Sequence, residues 1–182
     1  MPVPDGFLVL VDENLGIEKY RTSVAHELVH TLFYTRETRI PRRLFRATPE
    51  EEHFCFDVGR RVLAPDWMLT DLGLTAMQDA EAIFATLTEK LRLSRPVAAQ
   101  VMLQDHLLAR GIAGRWVLQN GRWDLARGTA YASPTLSRPA RQSLRGLAKQ
   151  WIEGKTQFAD RYRVFGTFEP SRESAFVMVQ VS

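Results

Sequence analysis

The chain has 182 residues, 45% of them hydrophobic and 25% charged, the profile of a folded domain rather than a disordered or fibrous one. No apolar run reaches the roughly 18 residues of a membrane span, and a single cysteine, Cys55, excludes an intrachain disulfide framework. The net charge of +3 is unevenly spread: residues 1–107 carry 12 basic and 16 acidic side chains, and residues 108–182 carry 12 basic and 5 acidic ones.

Met1–Gly6 lacks the basic region and apolar core of a signal peptide. With the cysteine usage, this predicts a cytoplasmic protein. Phe7–Val11 reads as a buried strand closed by Asp12-Glu13-Asn14. A helix is expected from Ile17 to Tyr34, with Ala25, Leu28, Val29, Leu32 and Phe33 as its apolar stripe. His26, Glu27, His30 and Tyr34 fall on the opposite side, facing a cleft. A basic loop, Arg36 to Arg46, follows. Thr48-Pro49-Glu50-Glu51 is a helix start, with Thr48 as cap and Glu51 completing a capping box. That helix is expected to run to Leu63, before Pro65, with Phe54, Val58 and Val62 as its core row.

Further helices are expected at 76–91 and 96–110, the second opening near Ser94 or Arg95. Trp116–Gln119 and Arg122–Leu125 flank Asn120-Gly121, a hairpin with a type I′ turn. Pro139–Ile152 reads as a helix with Leu144, Leu147 and Trp151 on one face. Tyr162–Phe168 and Ala175–Val181 read as strands.

His26-Glu27-Leu28-Val29-His30 is an H-E-x-x-H motif. Two histidines at i and i+4 leave one helix face and are able to share one Zn²⁺, with Glu27 beside them as general base toward a water. The competing reading is an amphipathic helix with two ordinary surface histidines. A catalytic zinc site usually needs a third protein ligand. Glu50, Glu51, Glu52, His53, Asp57 and His106 are the candidates.

The stretch Val24-Ala25-His26-Glu27-Leu28-Val29-His30-Thr31-Leu32, followed by Glu52-x-x-Cys55 and Val62-Leu63-Ala64-Pro65, resembles the ImmA/IrrE family of metallopeptidases. Leu91-x-Leu93-Ser94 is similar to the segment before that family's next helix. The resemblance spans roughly residues 7 to 110. It implies Glu52 as third zinc ligand, and Glu52's place in an acidic first helical turn agrees with that. His53 points about 100° away around the helix. Phe56 departs from the family, which has Asn or Asp there, and Gly59 stands for its Ala. Tyr34 is either a donor to a developing oxyanion or a cap on the cleft.

The expected fold is α+β. Residues 1–110 form a compact zincin-like helical core with a small sheet, and residues 111–182 form a basic C-terminal α/β region. The expected activity is zinc-dependent peptide-bond hydrolysis, with His26, His30 and Glu52 holding Zn²⁺ and Glu27 moving protons. The Phe7–Val11 strand is expected to pair with substrate, and the 175–181 strand to pair with it in turn. By resemblance, the partner is a protein substrate, typically a helix-turn-helix transcriptional repressor of a stress or mobile-element response. Two other readings stand beside this: a non-catalytic zincin-fold binding protein, and a DNA-binding protein built on the basic half. Arg138, Arg141, Arg145 and Lys149 are that half's candidates for repressor or DNA contact, and no membrane partner is expected.

Overall fold

The computed structural model describes residues 1–182 apart from Arg36, His106, Ala109, Thr156, Pro170, Arg172 and Ser182. The fold is α+β. The N-terminal part holds two small antiparallel pairs and two long helices. β1 (Pro2–Val3) pairs with β2 (Gly6–Phe7), and β3 (Tyr34–Thr35) with β4 (Arg42–Arg43). Helix α1 (Ile17–His30) continues as a 3₁₀ turn, Thr31–Phe33, and packs on α2 (Pro49–Leu63).

Shorter helices follow: α3 (Asp66–Asp71), α4 (Ala80–Ala85), a π-helical turn at Thr86–Lys90, and α5 (Arg95–Gln104). The C-terminal part is a four-stranded antiparallel sheet, in the order β6-β5-β8-β7. Its elements are β5 (Gly111–Gln119), β6 (Arg122–Ala132), β7 (Tyr162–Phe168) and β8 (Ser174–Val181), with α6 (Arg138–Ile152) between the two hairpins.

Both faces of this sheet are covered. Phe176 and Met178 of β8, with Ala113 of β5, join the core built by α3, α4 and α5. Ala175, Val177 and Val179 point the other way, to Leu144, Ala148 and Ile152 of α6. The period-2 alternation of a strand therefore gives β8 a nearly continuous apolar run, as strands buried on both sides require. Residues before and after position 110 contribute to one core.

The C-terminal expectations hold. Asn120 and Gly121 have φ of 51° and 72°, the left-handed pair of a type I′ turn, and β7, β8 and α6 lie where the sequence places them.

Four N-terminal expectations do not hold. Phe7–Val11 is no buried strand: only Gly6–Phe7 pairs, and Leu8, Val9 and Leu10 are exposed. Its apolar run finds no sheet, because β8 is already paired on both edges, with β5 and β7. The α1 stripe is also rotated: Ala25, His26 and Val29 are buried, while Leu28 and Leu32 face outward. On α2 the inward row is Glu51, Cys55 and Gly59, and Phe54 and Val62 are exposed. The inward rows of the helix pair therefore mix small residues with His26 and Glu51 instead of forming an oily stripe. Finally, the helices expected at 76–91 and 96–110 are shorter, and Gly111 opens a strand instead of ending a helix.

Candidate metal centre

Local chemistry sets the start of α2. The Thr48 side chain accepts from the Glu51 backbone N–H at 3.3 Å, and Pro49 occupies the first turn. Glu51 does not return the bond of a capping box. Its carboxylate turns inward, where His30 Nδ1 lies 2.8 Å from Oε1 and the Arg43 guanidinium donates to Oε2. Gly59 then lets α2 approach the backbone of α1 at Ala25 and His26. This close crossing brings the first turn of α2 over the last turn of α1.

The result is a convergence of three side chains. His26 Nε2 and His30 Nε2 are 3.1 Å apart. Glu52 reaches both, with Oε2 at 3.3 Å from His26 Nε2 and Oε1 at 3.4 Å from His30 Nε2. A tetrahedral ion with bonds of about 2.0–2.1 Å needs its ligand atoms about 3.3 Å apart. The three donors therefore have the chemistry and spacing to hold a zinc-like cation. Two imidazoles and one carboxylate leave a fourth position for water or substrate, the arrangement of a hydrolytic metal site.

Glu27 is exposed, and its carboxylate lies with the ring nitrogens of His26 and His30 in a group whose atoms are all within 4.8 Å. It lines a cleft of about 210 Å³ together with Met1, Phe7, His30, Tyr34 and Arg43. Tyr34 is on β3, not on the helix row expected for it, because α1 ends at His30. Its ring packs edge-on against Phe7 at 5.3 Å and under the Arg43 guanidinium at 5.5 Å.

Among the other third-ligand candidates, Glu51 meets Nδ1 of His30 and not the Nε2 that faces His26. His53 Nδ1 donates to the Pro49 carbonyl at 2.8 Å. Asp57 sits 3.6 Å from Arg60, and Glu50 is exposed. His106 and Arg36 lie outside the described residues.

Burial raises the Glu51 carboxyl, but hydrogen bonds from Arg43 and His30 outweigh it and hold the group below the ordinary glutamate range. Burial first, then the charges of Glu51, Glu52 and Glu27, push the Cys55 thiol up to about 11. Cys55 is thus a neutral thiol, fully buried, with Sγ at 3.4 Å from His30 Nδ1.

Phe56 covers the His26 ring at a centroid distance of 4.1 Å. His26 Nδ1 is buried and has no hydrogen-bond partner among the described residues.

Sequence reasoning placed Glu51 only as a capping-box residue and as one of six third-ligand candidates, and it did not assign Arg43 to the site. The signal available for Glu51 was its place one residue before Glu52 in an acidic first turn, which fits a cap equally well. Nothing in the spacing of the basic loop distinguishes Arg43 from its neighbours.

No protein-family model matches the chain, and no curated protein matches it either. Among the described residues, no helix is long and apolar enough to cross a membrane.

Proposed function

We propose that this protein is a zinc-dependent metallo-endopeptidase of ImmA/IrrE type, with a zincin-like core. The observation that carries the reading is the meeting of His26 Nε2, His30 Nε2 and the Glu52 carboxylate within 3.4 Å. The H-E-x-x-H motif and the second helix, which ends at Leu63 just before Pro65, support it. When bound, zinc would supply Lewis acidity toward a carbonyl and lower the pKa of water.

The chain's own residues do the rest. His26, His30 and Glu52 hold the ion. Glu27, which lines the cleft, takes a proton from water and delivers it to the leaving amine. Phe7 and Tyr34 form apolar walls that seat the substrate segment, and the Tyr34 hydroxyl faces Arg43 rather than water alone. The isolated strand first expected to pair with substrate is absent, so the substrate is held by the cleft walls and not by an open strand edge at residues 8–11.

The substrate class proposed is a folded regulatory protein, a helix-turn-helix repressor, on the strength of the family resemblance. A second reading, a zincin-fold binding protein without turnover, is favoured by one observation: Phe56 against His26 leaves Nδ1 of that ring without support.

Metal content separates the two readings first. The wild type is expected to carry about one zinc per chain and Glu52→Ala to lose it. A wild type that takes up no metal even when zinc is supplied overturns the enzyme reading. Glu27→Gln is then expected to keep zinc and lose cleavage of a repressor substrate. Wild-type turnover by that variant would remove Glu27 from the mechanism.

A further inference from the structure

Glu51 has no part in the reading above and Arg43 enters it only beside Tyr34, yet Glu51 is a buried carboxylate held from two sides. We infer that the Arg43–Glu51 pair is the outer shell of the metal site, fixing the proton of His30 on Nδ1 so that Nε2 presents a bare lone pair to the ion. This rests on the reading of His26, His30 and Glu52 as ligands and adds to it a positioning residue, Glu51, with Arg43 behind it.

An imidazole nitrogen 2.8 Å from a carboxylate oxygen must bring the hydrogen, because a carboxylate paired with a guanidinium has none to give. A neutral His30 therefore carries its one proton on Nδ1. Its Nε2 is left with a bare lone pair that accepts from His26 Nε2 and lies 3.4 Å from Glu52 Oε1, the third proposed ligand atom. Without Glu51, nothing described near Nδ1 accepts strongly, since the Cys55 sulfur at 3.4 Å is a weak partner. The proton would then be free to occupy Nε2 and block the ligand position.

The two histidines are thus unequally prepared. Among the described residues His26 Nδ1 has no partner, and its Nε2 is 3.1 Å from the bare Nε2 of His30, so the hydrogen between them has to come from His26. His26 must move its proton to an unsupported nitrogen before it binds an ion, and His30 need not. The burden of preorganisation falls on Glu51. Arg43 also cancels the Glu51 charge, so Glu51 is able to polarise His30 without adding net negative charge to the ligand set. Arg43 comes from β4 and lines the cleft, so the same guanidinium joins the cleft wall to the ligand it supports.

A purely structural role, tying β4 to α2, would move stability but not the tautomer. The test is a long-range ¹H–¹⁵N correlation of histidine rings in the metal-free full chain, beside zinc affinity measured by chelator competition. In the wild type, His30 is expected as the Nδ1–H tautomer. Glu51→Leu is expected to shift it toward Nε2–H and to weaken zinc binding by about 10–100-fold. Glu51→Gln keeps an acceptor oxygen and is expected to retain the tautomer and lose less affinity.

A wild-type His30 protonated on Nε2 overturns the inference, and this outcome is readable even if Glu51→Leu fails to fold. So does wild-type affinity in a folded Glu51→Leu protein. A wild type with the Nδ1–H tautomer that binds no zinc overturns the ligand reading instead, which keeps the two failures distinct.

Discussion

Gly59 lies against the backbone of His26: a Cβ at position 59 would sit 3.2 Å from His26 N and 3.3 Å from His26 Cα. The contact is backbone on both helices, so neither side has a flexible end to withdraw. Gly59→Ala gains about 1 kcal/mol of helix propensity against this crowding, and its net effect on stability is expected to be small. Gly59→Val has no such offset. It is expected to cost about 1–3 kcal/mol and to push α2 off α1, separating Glu52 from the two histidines. Urea melts with metal analysis check both effects. A valine variant with wild-type stability and full zinc content contradicts the role given to this crossing.

Arg60 and Asp105 form an ion pair that joins α2 to the end of α5, with both side chains under a tenth exposed. Burying two charges is costly, and breaking such a pair leaves one of them unmatched. Asp105→Asn is expected to destabilise by about 3 kcal/mol, nearer the low end of the usual range because Asp57 lies 3.6 Å from Arg60 and compensates in part. Arg60→Met combined with Asp105→Leu is expected to recover most of the loss. A double-mutant cycle with no coupling between the two positions would show that the pair does not hold the helices together.

Glu169 ties the β7–β8 connection to β5. It accepts from Ser174 Oγ and, at 2.8 Å, from Arg115 Nη2. The Ser174 bond, then the Arg115 bond, hold its carboxyl below the ordinary glutamate range despite some burial. A carboxyl lowered in the folded state stabilises above its unfolded pKa of about 4.3 and loses that contribution as pH falls through the folded value. Wild type is therefore expected to exceed Glu169→Gln in stability at pH 6–7, with the gap closing below about pH 4. Parallel denaturation curves across that range check the sign, and a gap that widens on acidification contradicts it.

The C-terminal sheet was legible because its signals are local. Asn120-Gly121 dictates its turn by φ alone, and β8 is apolar because both of its faces are covered. The meeting of His26 and His30 was also legible, since H-E-x-x-H sets both on one face by helical period, while Glu52 was one of six candidates and was singled out by the family resemblance.

The rotation of the two helices was not legible. Period counting assigns the inward face to the oiliest side chains, and here α1 and α2 turn His26, Glu51 and Cys55 inward while Leu28, Leu32, Phe54 and Phe56 stay outside. A buried Glu51 is intelligible only once Arg43 and His30 are seen beside it, and those partners are 8 and 21 residues away in the chain. The strand expected at Phe7–Val11 failed for a related reason. Its composition suits a sheet, but every edge of β8 is already taken.

The turn at Gly121 tests the local part of this account. Its φ is +72°, and a methyl group there would meet nothing within 4 Å, so the only penalty for a side chain is the left-handed backbone. Gly121→Ala is expected to cost about 1–2 kcal/mol and to leave the zinc content unchanged, because the residues of the turn pair within the β5–β6 hairpin and do not line the histidine cleft. The register of that hairpin pairs Gln119 with Arg122 and Leu118 with Trp123 directly behind the turn. A slip of one residue would carry Leu118 and Trp123 to the opposite faces of the sheet. Thermal melts followed by tryptophan fluorescence, with metal analysis of the same samples, separate the two effects. A loss of zinc in Gly121→Ala without loss of fold would show that the sheet and the helix pair are coupled through the hairpin.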